Sequence, residues 1–330
     1  MKIGVTGCAG FLGSHLIDAL LARGHKVVGI DNFSMGKKEN IQHHFKNPEF
    51  AFFEGDVRDL NTLGERFNDS EILVHLAAFK IPRYGNAIET LLINNQGAHN
   101  VLEVAKARKS KVVLASTSDV YGKNPLLPFH EESDSVIGPS TVARWSYAVS
   151  KLFDEHLAFA YQEDHKLPVV ILRFFGSYGP RHHLSWWGGP QSVFISQILK
   201  GEEVTIHGDG MQTRSFTYVS DTIRGTVAAI EKDEANGQVF NIGSTHEISI
   251  VDLARLIHKL STRPGDLKVK FVPYSAFSGG KYEDVRRRIP DIAKAKKILD
   301  FEARVSLEEG LTRTISWQEE MMRTSGEGKS

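Results

Sequence analysis

The chain has 330 residues, 41% hydrophobic and 24% charged, which fits an ordinary globular protein with a sizeable core in one large domain or two lobes. Lys plus Arg equals Asp plus Glu, so no global charge draws it to nucleic acid or a membrane surface. The single cysteine, Cys8, excludes an internal disulfide and suits a reducing cytoplasm. No uncharged run is long enough for a membrane span, and the chain starts as a strand rather than a signal peptide.

The first element is the buried strand "KIGV". It runs into "TGCAGFLGSHL", whose glycines Gly7, Gly10 and Gly13 are spaced by three. Leu12, Leu16, Ile17, Leu20 and Leu21 then recur at helical spacing up to Gly24. "KVVGID" reads as a second buried strand ending at Asp31. Strand, glycine turn, helix, strand and acid form a dinucleotide-binding pattern. One glycine permits the turn, one lets backbone approach a pyrophosphate, and one lets the helix pack closely. The helix N-terminus offers unpaired N–H groups to phosphate. Asp31 suits a ribose diol and repels a 2′-phosphate, which favours NAD over NADP. Cys8, inside the loop, reads as a small packing residue.

Strands follow at 49–57, 71–78 and 111–116, with a helix at 86–108. This alternation predicts an α/β fold: a Rossmann-like doubly wound parallel sheet, with ligands at the carboxyl ends of its strands. The residues there are Asp56 and Val57; Leu76, Ala77 and Ala78; and Ser116 to Asp119. Further on, "YAVSK" puts Tyr147 and Lys151 on one helical face. A lysine cation near a tyrosine favours the phenolate, a base useful near neutral pH. His182 and His183 are adjacent and diverge, so no metal site is expected. Trp186 and Trp187, flanked by glycines before a helix starting near Pro190, suit either lobe packing or a lid.

Together, "TGCAGFLGSHL", "GDV", "HLAA", "STSDVYG", "YAVSK", "RFFGSYGPR" and "DGMQTRSFTYVSD" resemble the extended short-chain dehydrogenase/reductases that act on nucleotide sugars, from residue 3 to about 317. The resemblance implies NAD as cofactor, held by Gly7, Gly10, Phe11, Leu12, Gly13, Asp31, Asn32, Asp56, Val57, Leu76, Ala77, Ala78, Lys80, Asn94, Tyr147 and Lys151. It implies that Tyr147 takes the sugar C4 hydroxyl proton, that Lys151 holds the nicotinamide ribose and the phenolate, and that Thr117 binds the same sugar oxygen. Thr117, Ser118, Gly176, Gln191, Val193, Arg214 and Arg288 are the implied substrate contacts, with Arg214 on the diphosphate or ribose. Arg286 and Arg287 read instead as a solvated face.

Oxidation at C4 leads to three outcomes: 4-epimerisation, 4,6-dehydration, or decarboxylation of a sugar carrying a C6 carboxylate. Dehydratases and decarboxylases of the family carry Thr-Asp-Glu or Thr-Ser-Glu where this chain has Thr117-Ser118-Asp119. Asp119 is thus an acid/base near C5 or a structural cap. The first expectation is a UDP-hexose or UDP-hexuronate 4-epimerase; the alternatives are a UDP-glucuronate decarboxylase or a 4,6-dehydratase, and more remotely a non-catalytic NAD sensor. Gly176 departs from the asparagine usual in relatives. The expected organisation is a Rossmann domain over 1–175, with returning segments from about 217–240. A nucleotide-sugar lobe is expected mainly from 176–330, ending in a disordered tail at 325–330. The helices at 86–108 and 145–163 are the expected homodimer face.

Overall fold

The computed structural model describes residues 1–80, 86–276 and 283–324; the expected tail lies outside them. The first half alternates strand and helix: β1 (Lys2–Thr6), α1 (Phe11–Ala22), β2 (Lys26–Asp31), β3 (Phe50–Glu54), α2 (Leu60–Arg66), β4 (Ile72–His75), α3 (Ala87–Arg108), β5 (Lys111–Thr117), α4 (Trp145–His165) and β6 (Val169–Phe174). The second half is more broken: β7 (Ser177–Tyr178), α5 (Pro190–Lys200), β8 (Val204–His207), β9 (Thr213–Ser215), β10 (Thr217–Tyr218), α6 (Val219–Glu231), β11 (Gln238–Ile242), β12 (Glu247–Ser249), α7 (Ile250–Leu260), β13 (Val269–Val272), α8 (Ala293–Leu299) and α9 (Leu307–Thr324).

Seven strands form one sheet, ordered β11-β6-β5-β4-β1-β2-β3, with every pairing parallel. Its strands read as near-continuous apolar runs because both faces are covered. Alternate residues serve opposite faces. Ile3, Val74, Val113 and Leu172 pack into the core shared with α1 and α6, while Leu73, Val112, Leu114 and Ile171 pack beneath α3 and α4. Gly4 opens the space that Leu73 and Phe67 fill; a Cβ there would lie 2.7 Å from each. Each such aliphatic side chain contributes about 2 kcal/mol by burial.

The sheet does not end with the first half of the chain. After β6 the chain leaves, forms β7 to β10, and returns through α6 to set β11 on the sheet edge beside β6. The outer layer holds three two-stranded pieces, β10-β7, β12-β9 and β13-β8, together with α5 and α7. Among the described residues no helix is long and apolar enough to cross a membrane.

Candidate active site

A cleft of about 750 Å³ opens at the carboxyl ends of β1, β2, β4 and β5 and runs under the second half. Its floor is the glycine turn. Gly7 has φ +69°, a left-handed conformation that favours glycine, and a Cβ on it would meet the backbone N of Ala77 at 2.8 Å. A Cβ on Gly13 would lie 2.0 Å from the Gly7 carbonyl oxygen. The α1 helix therefore starts flush against the turn. Gly10, Phe11 and Leu12 also line the cleft. Cys8 is buried below, its Sγ filling the space over Gly29, and burial pushes its thiol up and keeps it inert.

Asp31 ties this floor together. Its Oδ2 accepts from Ala9 N at 2.9 Å and its Oδ1 from Phe33 N at 2.8 Å. Burial raises its carboxyl. Beside it, Asn32 donates to Asp56 at 3.0 Å, and Arg58 clamps Asp56 at 2.9 and 2.7 Å, which lowers that carboxyl to about 2. Asp56, Val57, Leu76, Ala77, Ala78 and Lys80 all line the cleft. Burial lowers Lys80 to about 8, and the charge of Asp119 opposes this.

Asn94 does not line the cleft. Its amide bonds both backbone groups of Phe79, accepting at 2.7 Å and donating at 3.1 Å, and it donates to Ser150 at 2.9 Å. It braces the cleft wall against α4. Val193 is likewise withdrawn into the core, whereas Gln191, two residues earlier, reaches the cleft. A helix turns successive residues about 100° apart, so only one face of α5 meets the ligand space.

Thr117, at the end of β5, is hydrogen-bonded to Tyr147 of α4. Tyr147 is pushed up by burial, then by Asp119 and Asp154, against the Thr117 bond. Lys151 lies one turn on, and its Nζ donates to Asp154 at 3.2 Å. Under β5, Ser116 bonds Glu155, which is held by Arg173 of β6 at 3.0 and 2.7 Å. This buried pair fixes the strand end that carries Thr117.

Asp119 is not a simple turn cap. Its Oδ1 sits 2.8 Å from Arg288 and 3.2 Å from Arg144. Backbone pairing brings Arg288 there. Phe129 N donates to Ile289 O at 2.9 Å, and Asp291 N donates back to Phe129 O at 2.8 Å. On the other side Thr213 N donates to Arg286 O at 2.9 Å. Arg288 is half-buried there, and the loss of water lowers its guanidinium to about 10 against the pull of Asp119. Arg214 lines the cleft and is held by Asp284 at 2.7 Å and by the carbonyls of Thr213 and Val285 at 2.6 and 2.7 Å. Tyr274 donates to the same Asp284 at 2.6 Å. Arg286 and Arg287 make exposed pairs with Asp209 and Glu247, as a solvated face would.

Arg144, Asp284 and Tyr274 all line the cleft and were missed in the sequence. Arg144, three residues before Tyr147 in "ARWSY", had a readable signal: a helix start beside the base. Asp284 had none, since its neighbour Arg214 is 70 residues away.

Gly176 has φ +51°, and a Cβ there would lie 2.3 Å from Ser215 O. In this chain the position excludes asparagine. The segment before α5 carries a 3-10 turn at Trp186–Gly188; Trp186 stacks on His207 at 4.3 Å and Trp187 meets Phe79 edge-on at 5.3 Å. His182 packs on Phe11 at 4.1 Å, and His183 bonds Met35 O at 3.0 Å. Among the described residues, Asp18, His43 and His44 could together hold an ion, but Arg181 already neutralises Asp18 at 2.7 Å.

A parallel sheet, a glycine floor under a helix start, and a Thr–Tyr–Lys set where β5 meets α4 define a Rossmann-like dinucleotide enzyme whose cleft has a charged far wall. The sequence profile described as GDP-mannose 4,6 dehydratase matches residues 5–314, and the chain belongs to this family of extended short-chain dehydrogenase/reductases. It is 38% identical over 319 residues to a UDP-N-acetyl-alpha-D-glucosaminuronate decarboxylase of Bacillus cytotoxicus, covering 96% of this chain and 97% of that one. It is 37% identical to UDP-glucuronic acid decarboxylase 1 of Xenopus tropicalis, covering 96% and 72%. A UDP-glucuronic acid 4-epimerase from Bacillus cereus, solved in complex with UDP-glucuronic acid and NAD, superposes with a TM-score of 0.87 at 34% identity, covering 97% and 100%.

Proposed function

We propose that the chain binds NAD and a UDP-hexuronate in this cleft, oxidises the sugar at C4, and removes the C6 carboxylate as carbon dioxide. The residues fit the cofactor: a Cβ would fill the cradle at Gly7 and Gly13, and Asp31 stands at the end of β2 where a ribose diol is read. Held there, NAD would supply reversible hydride transfer at C4.

Tyr147 takes the proton of the C4 hydroxyl, and Thr117, already its hydrogen-bond partner, orients the same oxygen. Lys151 supplies the cation that favours the phenolate. The C4 ketone then stands β to the C6 carboxylate. The C5–C6 bond breaks, carbon dioxide leaves, and the electron pair spreads over C5 and the C4 oxygen. Tyr147 and Thr117 stabilise that oxygen by hydrogen bonding. C5 then takes a proton from a water molecule oriented by the Asp119–Arg288 pair at the sugar end, in place of the bond to the lost carbon dioxide.

The observation that carries this reading is Asp119 Oδ1 between Arg288 and Arg144, beside Thr117. The two guanidiniums recruit an anionic sugar. Asp119 offsets their charge, so they do not clamp the sugar carboxylate so firmly that it resists losing its charge. Gripping a ground state does not accelerate its reaction. The curated relatives support the same choice.

The test is incubation of the purified protein and NAD with UDP-glucuronate and UDP-N-acetylglucosaminuronate, read by mass spectrometry and proton NMR. Loss of carbon dioxide supports decarboxylation. A new sugar spectrum at unchanged mass supports the second reading, 4-epimerisation of the same hexuronate, which the likeness to the Bacillus cereus epimerase favours and which needs no proton delivered to C5. Turnover of neutral UDP-hexoses alone would overturn both.

We also infer a homodimer through α3 and α4. Ile88, Leu92, Val149 and Phe153 are 66%, 62%, 43% and 47% exposed on these two helices, which pack together. A reducing cytoplasm is the setting that the lone cysteine favours.

A further inference from the structure

Lys151 has a partner that the Tyr-x-x-x-Lys spacing does not announce. Its Nζ donates to Asp154 Oδ2 at 3.2 Å, and the two side chains are 2% and 0% exposed. Among the described residues this is its one hydrogen bond. The other oxygen, Asp154 Oδ1, is buried with no hydrogen-bond partner. A buried carboxylate with one unsatisfied oxygen is costly unless something uses it. The ammonium it holds is the charge that Tyr147, four residues earlier on the same helix, needs in order to ionise.

We propose that Asp154 is a positioning residue that sets how strongly Lys151 supports the Tyr147 phenolate. By taking the ammonium as its own counter-ion inside the α4 packing, it restrains Tyr147 as a phenol. The inference rests on the reading of Tyr147 as the base. Burial, opposed by Lys151, raises the Asp154 carboxyl to about 6, so at neutral pH the carboxylate is charged and the restraint is present. The other groups facing this set are few. Glu155, on the same helix, is engaged by Arg173 of β6. Asp119, just past β5, acts on Tyr147 from the sugar side. His75 of β4 is held down at about 3 by burial and by Lys151, and is neutral. From α3 comes the uncharged Asn94, bonded to Ser150.

The test reads Tyr147 directly. The near-ultraviolet phenolate signal of the NAD-loaded protein is titrated with pH, and the same titration of a Tyr147→Phe protein is subtracted. Asp154→Asn is expected to move the ionisation to lower pH, with an ionisation constant at least about tenfold larger. The acidic limb of kcat/KM should move with it, and Asp154→Glu should bring both back toward the parent. If Asp154→Asn lacks native circular dichroism, Asp154→Ser is titrated instead. An unchanged or higher midpoint in the folded variant overturns the proposal. The Tyr147→Phe turnover separately tests the base itself, because the titration requires no turnover.

Discussion

The floor of the cleft and its far wall are built in opposite ways. The floor is made by absence: at Gly7 and Gly13 there is no side chain, and the backbone is packed so closely that a Cβ would meet main-chain atoms at 2.8 and 2.0 Å. The wall is made by charge: Arg144, Arg214 and Arg288 are each held by a carboxylate, from Asp119 or Asp284. A steric cradle binds one shape and has no means of adjustment. Paired charges can be tuned, because each carboxylate decides how much of its arginine a substrate can use.

Tyr147→Phe, at the seam of the two, has the largest expected effect. Turnover should fall by about 10²–10⁴-fold, with NAD affinity by calorimetry unchanged. Equal turnover would remove the mechanism. Gly13→Ala tests the floor. With the Gly7 carbonyl unable to give way, the cost should approach about 3 kcal/mol, read as a lower thermal midpoint and weaker NAD binding. Asp119→Asn tests the wall. Carbon dioxide release should drop by about 10²-fold, the typical share of one proton-transferring group, while C4 chemistry persists in an isotope-exchange assay.

A smaller effect separates the two regions by pH. Asp284, held at about 2 by Arg214 and its neighbours, has a depressed carboxyl. A depressed carboxyl stabilises the folded state above its unfolded value of 3.8, and this is lost as pH falls toward 2. Acid unfolding followed by circular dichroism should thus be shallower in Asp284→Asn over that window, by about 2 kcal/mol or less. Arg286→Gln, on the exposed rim, should leave the thermal midpoint unchanged, because water screens its pair with Asp209.

The glycine turn, the strand-end residues and the Tyr147–Lys151 pair were legible because each depends on neighbours a few residues away. Where Asn94 and Val193 lie was not legible: one braces Phe79 and Ser150, the other packs in the core. Family position does not say which side of a helix a ligand meets. Gly176 appeared as a missing amide, and only its φ of +51° and the nearby Ser215 carbonyl give the reason.

By itself the sequence determined a parallel α/β sheet, a glycine floor and a Tyr147–Lys151 pair on one helix, since hydrophobic periodicity and short spacings act locally along the chain. Tertiary structure alone decided that Asp119 faces Arg288 and that β11 closes the sheet beside β6. The Phe129–Ile289 pairing that delivers Arg288 joins segments far apart in sequence. A charge has no partner until the backbone brings one within a few ångströms, because the interaction depends on distance and burial and not on order along the chain.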